Sequence, residues 1–286
     1  MGEPMAASLL RAGFAVTVCA HQNRAPLERL IAAGAVDGGD PAGVARRSEV
    51  VITMVPDAPQ VEECYFGPDG AASAAAAGTL FIDMSTISPV ATKAFAARLT
   101  ALGMRFVDAP VSGGPARAQS GTLALMVGAS DADFADAHPV LAAMGTPNHV
   151  GPVGMGEIVK LVNQTMIANI MLGNIEALVF AAKAGADIAK VREVILTATG
   201  ANYLLEKWLP TTWLAKEPAS GFALDLFRKD LAATLDAARA MGVTMPATAQ
   251  AYQLFTASSG EGHGRDDYSA VATFYERAAN VPPTKI

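Results

Sequence analysis

Up to about residue 152, short apolar runs alternate with helix-forming segments; beyond Gly154 the strand signal stops. The runs that read as strands are Ala15–Cys19, Val50–Met54, Leu80–Asp83, Arg105–Asp108, Leu123–Val127 and Asn148–Val150. Helical segments sit between them, among them Pro26–Ala33, Pro89–Leu102 and Ala132–Met144. Such alternation requires a largely parallel sheet with helices on both faces, since parallel neighbours need a crossover connection. After the turn-rich Gly151-Pro-Val-Gly-Met-Gly156 the chain turns helical, first over the long apolar run Ile158–Ala184, which Gly185 ends. Ala189–Thr197, Tyr203–Leu214, Ala223–Met241, Pro246–Ser258 and Ala270–Ala279 follow as helices. The expected division is therefore an α/β domain over 1–152 and an all-α domain over 153–286. The alanine-rich Ala71–Ala77 reads as a tightly packed helix.

The start of the chain narrows the α/β class. Gly2 followed by Pro4, an apolar helix closed by Gly13, and the strand Phe14–Cys19 form the α1–β2 portion of a dinucleotide-binding unit. In such a unit the third glycine lets helix and strand pack closely, and the free N–H groups of the helix N-terminus hold a pyrophosphate. The expected fold is a Rossmann-type doubly wound parallel sheet, with the first strand and first two glycines missing from this sequence, followed by the all-helical domain with its long interdomain helix. An N-terminally shortened nucleotide-binding enzyme, a mis-set start and a coincidental motif are the readings of that opening.

Bulk properties exclude several classes. Hydrophobic residues make up 51% of the 286 and charged ones 17%, enough for a large core. A net charge of −6 gives no reason to expect nucleic acid or an anionic membrane as partner. Cys19 and Cys64 have neither metal nor CxxC spacing, which fits a reducing, cytoplasmic compartment. Ala6–Ala20 is apolar but lacks a basic leader, and Arg11 interrupts it, so no secretory signal is read there. No stretch is expected to cross a membrane. His21, His138, His149 and His263 do not cluster, so no metal site is expected.

Four segments carry candidate chemistry. Met54-Val55-Pro56-Asp57-Ala58-Pro59 follows a strand, where an α/β sheet binds its ligand, although an ordinary loop reads the same way. Asp83-Met-Ser-Thr-Ile-Ser-Pro89 places hydroxyls at another strand end. Ser88 suits a helix N-cap before Pro89, leaving Ser85 and Thr86 to face the crevice. Asp108-Ala-Pro-Val-Ser-Gly-Gly-Pro115 bares successive N–H groups at Ser112, Gly113 and Gly114, a nest suited to a carboxylate or phosphate; a plain Gly-Gly turn is the bland alternative. Lys160, Asn163 and Gln164 share one face of an apolar helix. A lysine buried there must find a partner or lose proton affinity, and the latter suits a general acid/base.

Together these segments resemble the β-hydroxyacid dehydrogenase family, over essentially the whole chain. Gly2 with Pro4-Met5-Ala6 is similar to the end of its glycine-rich turn. Asp108–Gly114 with Gly121-Thr-Leu-Ala-Leu-Met-Val-Gly128 is similar to its substrate signature, and Lys160-x-x-Asn163-Gln164 to its catalytic helix. Phe222 through Lys229-Asp230, and Asp267-Tyr-Ser269, resemble its C-terminal stretches. Met54–Glu63 and the Asn-Gln pair look most like the tartronate semialdehyde reductase branch. The resemblance implies hydride transfer between a nicotinamide and a short 3-hydroxy acid or its semialdehyde, with no metal. It makes Lys160 the catalytic acid/base and Ser112, Gly113, Gly114, Asn163 and Gln164 the substrate-binding residues. Cofactor contacts are implied at Gly2, Met54, Val55, Pro56, Thr86, Phe222, Lys229 and Asp230. After the second strand no acidic residue is present for the ribose hydroxyls that NAD requires. Asn23 and Arg24 stand there instead, favouring NADP over NAD. A homodimer or homotetramer is implied. The competing reading is a non-catalytic oligomerisation homologue of the same fold; Lys160 also argues against an imine reductase.

Overall fold

The computed structural model describes residues 1–219 and 221–286. It divides into two compact units, Met1–Lys160 and Leu161–Ile286. The expected turn at Gly151–Gly156 is present, with Gly151 and Gly154 at φ of 129° and 93°, but the first unit keeps the opening turns of the helix beyond it.

In the first unit the chain runs α1 (Gly2–Arg11), β1 (Thr17–Val18), α2 (Ala25–Ala32), β2 (Val36–Asp37), α3 (Pro41–Ala45), β3 (Val50–Thr53) and α4 (Ala58–Phe66). It continues through β4 (Leu80–Asp83), α5 (Pro89–Ala101), β5 (Arg105–Asp108), β6 (Val111–Ser112), α6 (Gly114–Ser120), β7 (Leu123–Gly128), α7 (Asp131–Ala142) and β8 (Gly145–Gly151). The strands form two sheets. β1 and β2 pair in parallel as a two-stranded sheet, and β3-β4-β5-β7-β6, with β8 on β7, form a six-stranded one. Among the described residues no ladder joins β1 to β3. The six-stranded sheet is mixed: β3, β4 and β5 are parallel, as are β7 and β8, but β7 runs antiparallel to β5 and β6.

The alternation of side chains along β4 builds both faces. Leu80 and Ile82 pack with Met5 and Leu9 of α1 and with Ala137 and Leu141 of α7. Phe81 points the other way, into Tyr65, Phe95, Leu99 and Phe106; its ring meets that of Tyr65 edge-on at 5.1 Å. All four residues of β4 are therefore buried, as expected of a strand covered on both faces. The helix expected over Ala71–Ala77 is only a 3-10 turn, Ala71–Ser73. Gly70 and Gly78 bracket too short a run to repay helix nucleation.

The second unit begins within α8 (Met155–Lys183) and continues through α9 (Ile188–Leu196), α10 (Leu224–Ala240), α11 (Pro246–Gly260) and α12 (Ala272–Ala279). Ala168, Met171, Ile175 and Leu178 recur at helical spacing on α8. They pack into one core with Leu209, Trp213, Phe227, Leu231, Phe255 and Tyr268. Tyr203–Leu214, expected as one helix, contains a π-helical turn (Leu204–Trp208) followed by a 3-10 turn (Leu209–Thr211); Pro210 prevents regular continuation. The expectation that no segment could span a membrane needs correction. By length and composition α8 qualifies, with a mean hydropathy of 1.5 over its most apolar stretch. It nevertheless carries Glu157, Lys160 and Gln164 as buried polar residues, and its apolar side chains supply a protein core.

Candidate active site

The C-terminal ends of β3, β4 and β5 form a crest of polar residues in register, Thr53 beside Asp83 and Asp83 beside Asp108. Thr53 and both carboxylates are buried. The Thr53 hydroxyl donates to Asp83 Oδ1 at 2.8 Å and lies 2.7 Å from the Tyr65 hydroxyl. The Ser85 amide donates to the same Asp83 oxygen at 3.1 Å, and Ser85 Oγ accepts the Val55 N–H at 3.0 Å. Asp83 thus ties together the two loops carrying Met54, Val55, Pro56 and Thr86. Ser85 does not face a crevice as the sequence suggested; it is fully buried and serves this network. Thr86 is half-buried. Ser88 is the N-cap expected of it, accepting the Val90 N–H.

Asp108 performs a different task. Its Oδ1 accepts the Gly154 N–H at 2.7 Å and its Oδ2 the Glu157 N–H at 3.0 Å. Burial pushes its carboxyl up to about 6, against the pull of those amides and with a further push from Asp83. Lys160, one turn beyond Glu157 on α8, is only 7% exposed.

Ser112 ends β6, and Gly113 and Gly114 follow with φ of 134° and 67°, conformations that favour glycine. A side chain at Gly113 would also strike the stem of Arg117. Gly2 opens α1 about 4.0 Å, measured from an added Cβ, from the Met54 carbonyl, so the start of α1 lies beside the first crest loop. No side chain caps that helix start. At the end of the smaller sheet, Arg24 pairs with Asp37 at 3.0 Å while remaining 56% exposed. Asn23 Oδ1 accepts the Ala25 N–H at the start of α2.

The second unit has a polar cluster of its own. Asn163 Nδ2 donates to Gln164 Oε1 at 3.1 Å, and Gln164 Nε2 donates to Asp230 Oδ2 at 2.7 Å. Lys229 Nζ stands 2.7 Å from Asp230 Oδ1. Asp230 is 1% exposed, and each of its oxygens is engaged with a neighbour. Phe222 packs against Phe227 and Tyr268, and its N–H donates to Asp267 Oδ2 at 2.9 Å. Asp267 also accepts from the Trp208 indole and the Ser269 amide, making it the knot of this loop. Sequence reading missed the organising roles of Asp83 and Asp108. The available signal was an aspartate closing two successive strands.

Among the described residues no group of three or more His, Cys, Asp or Glu gathers as a metal site. His149 stacks on Phe134 and His263 pairs with Asp266.

Residues 1–162 match the family described as the NAD binding domain of 6-phosphogluconate dehydrogenase, and residues 154–275 match the NAD-binding region of NADP-dependent 3-hydroxyisobutyrate dehydrogenase. The chain is 39% identical to the 2-(hydroxymethyl)glutarate dehydrogenase of Eubacterium barkeri, over 98% of this chain and 93% of that one. It is 37% identical to the 2-hydroxy-3-oxopropionate reductase of Escherichia coli, over 98% and 95%. The solved structure of Mycobacterium tuberculosis 3-hydroxyisobutyrate dehydrogenase with L-serine matches with a TM-score of 0.84 and 33% identity, covering 96% of this chain and 95% of that one. The two family matches and these full-length similarities agree with the glycine turn, the Ser-Gly-Gly signature and the Lys-x-x-Asn-Gln helix: the chain belongs to the β-hydroxyacid dehydrogenase family of nicotinamide-dependent oxidoreductases.

Proposed function

We propose that this protein interconverts a short 3-hydroxy acid and its semialdehyde with NAD(P), using Lys160 as the general acid/base. The observation that carries the proposal is the burial of Lys160 on a helix whose start is bound to the strand-end crest.

The chain's residues fit a dinucleotide. The uncapped amides of α1 beside Gly2 suit a pyrophosphate, and the Met54–Pro56 and Thr86 loops, tied by Asp83, offer backbone and hydroxyl groups beside it. When bound, the nicotinamide supplies or accepts the hydride at the carbon bearing the reacting oxygen. Ser112, Gly113 and Gly114 bind the substrate carboxylate through their amides. In the reductive direction the Lys160 ammonium gives its proton to the oxygen that gains the carbonyl electron pair; in the oxidative direction the neutral amine removes it. Asn163 holds the same oxygen, and Gln164, fixed by Asp230, orients Asn163. Lys229 and Phe222 contact the cofactor, and Asp230 holds Lys229 for that purpose. Arg24 and Asn23 receive a 2′-phosphate, which favours NADP.

Val162, Met166 and Ile170 recur every fourth residue on α8, and with Phe180 and, on α9, Val194 they are exposed. We assign this apolar stripe to a homodimer or homotetramer interface. A cytoplasmic location accompanies this function.

Similarities of 39% and 37% to enzymes named for different acids leave the substrate to experiment. Steady-state kcat/KM for a panel of three- to six-carbon semialdehydes and 3-hydroxy acids, with NADPH and NADH, tests the proposal. The expected result is turnover of at least one pair with preference for NADPH. No turnover of any pair, with cofactor bound, would favour the oligomerisation homologue.

A further inference from the structure

Four helices in the first unit are capped by a residue next to them. Asp40, Asp57, Ser88 and Ser130 each accept an N–H within three positions of themselves. The helix carrying Lys160 is held differently. Its opening amides, Gly154 and Glu157, are bound by a carboxylate 46 and 49 residues earlier in the chain, at the end of β5. A local cap stabilises a helix end but leaves its direction free. A cap delivered from a strand fixes the helix to the sheet.

We propose that Asp108 is a positioning residue for Lys160, clamping the first turn of α8 so that the lysine enters the reaction site at one depth and one pitch. The proposal rests on the reading of Lys160 as acid/base. Lys160 lies three residues beyond Glu157, about 4.5 Å along the helix axis, so little chain separates the clamp from the amine. The surroundings are shaped around this carboxylate. A Cβ on Gly128 of β7 would collide with Asp108 Oδ1, and one on Gly156 would stand 2.7 Å from Oδ2 and strike the Met126 carbonyl. Two glycines from different elements thus leave room for one side chain. A negative charge at a helix start is also favoured by the aligned peptide dipoles. Burial raises the carboxyl to about 6, so the protein accepts a desolvation cost at Asp108 that a neutral local cap would avoid.

Two variants test this, in the full chain. Asp108→Asn replaces one acceptor oxygen with a donor, and Gly128→Ala presses a Cβ against the Asp108 carboxylate. The decisive measurement is the single-turnover rate of hydride transfer, followed by nicotinamide absorbance, alongside steady-state KM. The rate constant does not depend on the folded fraction, whereas the amplitude does. Small displacements of a catalytic group cost about 100-fold, so the expected result is a rate constant lowered roughly 10–100-fold, with amplitude retained and KM changed by less than about 3-fold. A rate constant within about 2-fold of wild type, with loss confined to amplitude or KM, would overturn the inference. Failure of both variants to fold would assign Asp108 to the fold alone and overturn it too. Lys160→Ala is the control. If it keeps the wild-type rate constant, the acid/base reading fails; if it is inactive while both test variants are fully active, only the clamp fails.

Discussion

The strand ends of the two sheets in the first unit are built on opposite principles. At the six-stranded sheet, Thr53, Asp83 and Asp108 are buried; Thr53 binds Asp83 and Tyr65, Asp83 accepts the Ser85 amide, and Asp108 holds the start of a helix. At the two-stranded sheet, both residues of β2 are exposed, and Arg24 and Asp37 meet as a surface ion pair. Buried groups interact in low dielectric and lose much when a partner is removed; exposed pairs are screened and lose little. The crest is therefore suited to holding chemistry in fixed geometry. The exposed end can exchange one partner for another, which suits the role proposed for Arg24.

The largest effect that could break this contrast is at Asp83. Asp83→Ala removes the acceptor of the Ser85 amide and of the Thr53 hydroxyl, and each buried group left without a partner costs about 1–3 kcal/mol. Urea unfolding should show a loss of several kcal/mol at most, with NADPH and NADH affinity weakened alike. A stable variant with unchanged affinities would mean the crest does not organise the cofactor loops.

Next comes the pH dependence arising from Asp108. Its carboxyl lies near 6 in the fold against 3.8 as the ordinary value. Between those values the folded state holds a proton that the unfolded state has released. Its contribution to stability is thus greatest below about pH 4 and falls as pH rises to about 6, by about 3 kcal/mol in all. The difference in unfolding free energy between wild type and Asp108→Asn should carry this slope; a flat difference from pH 4 to 7 would contradict it.

The exposed end should respond in selectivity rather than in stability. Arg24→Ala should weaken NADPH by about 10–100-fold relative to NADH, the value of a charge-assisted hydrogen bond to the 2′-phosphate. Asp37→Ala, which releases Arg24 from its present partner, should shift preference the other way. Equal effects on both cofactors would remove Arg24 from cofactor choice. The smallest effect is on folding: losing the Arg24–Asp37 pair should cost no more than about 1 kcal/mol in thermal or urea unfolding.

The legible parts of the chain follow the same division. β4 and β5 have the bounds read from their apolar runs, because buried parallel strands leave uninterrupted hydrophobic stretches ending at a polar residue. Val36–Asp37 gave no such sign: it is two residues long, exposed on both and followed by two glycines. Val111–Ser112 was hidden inside the Ser-Gly-Gly motif, where glycine chemistry masks a short strand. Lys160 stood out as the one cation in the apolar run from Ile158 to Ile170. Asp83 and Asp108 did not, since their partners lie two or more residues away or on another strand and helix, and only the sheet register brings the two carboxylates side by side. Ser85 was misread for a related reason: a hydroxyl at a strand end serves a ligand or a neighbouring amide equally well, and the Val55 amide took it.

The most direct test of the central claim is isotopic. Reduced cofactor deuterated at the nicotinamide C4 is mixed with a turned-over semialdehyde, and the product is analysed for the position of deuterium in wild type and Lys160→Ala. The expected result is deuterium on the carbinol carbon in wild type and a kcat lower by about 10²–10⁴-fold in Lys160→Ala, with cofactor affinity preserved. Product without deuterium at that carbon, or a Lys160→Ala variant keeping more than about a tenth of wild-type kcat, would contradict it.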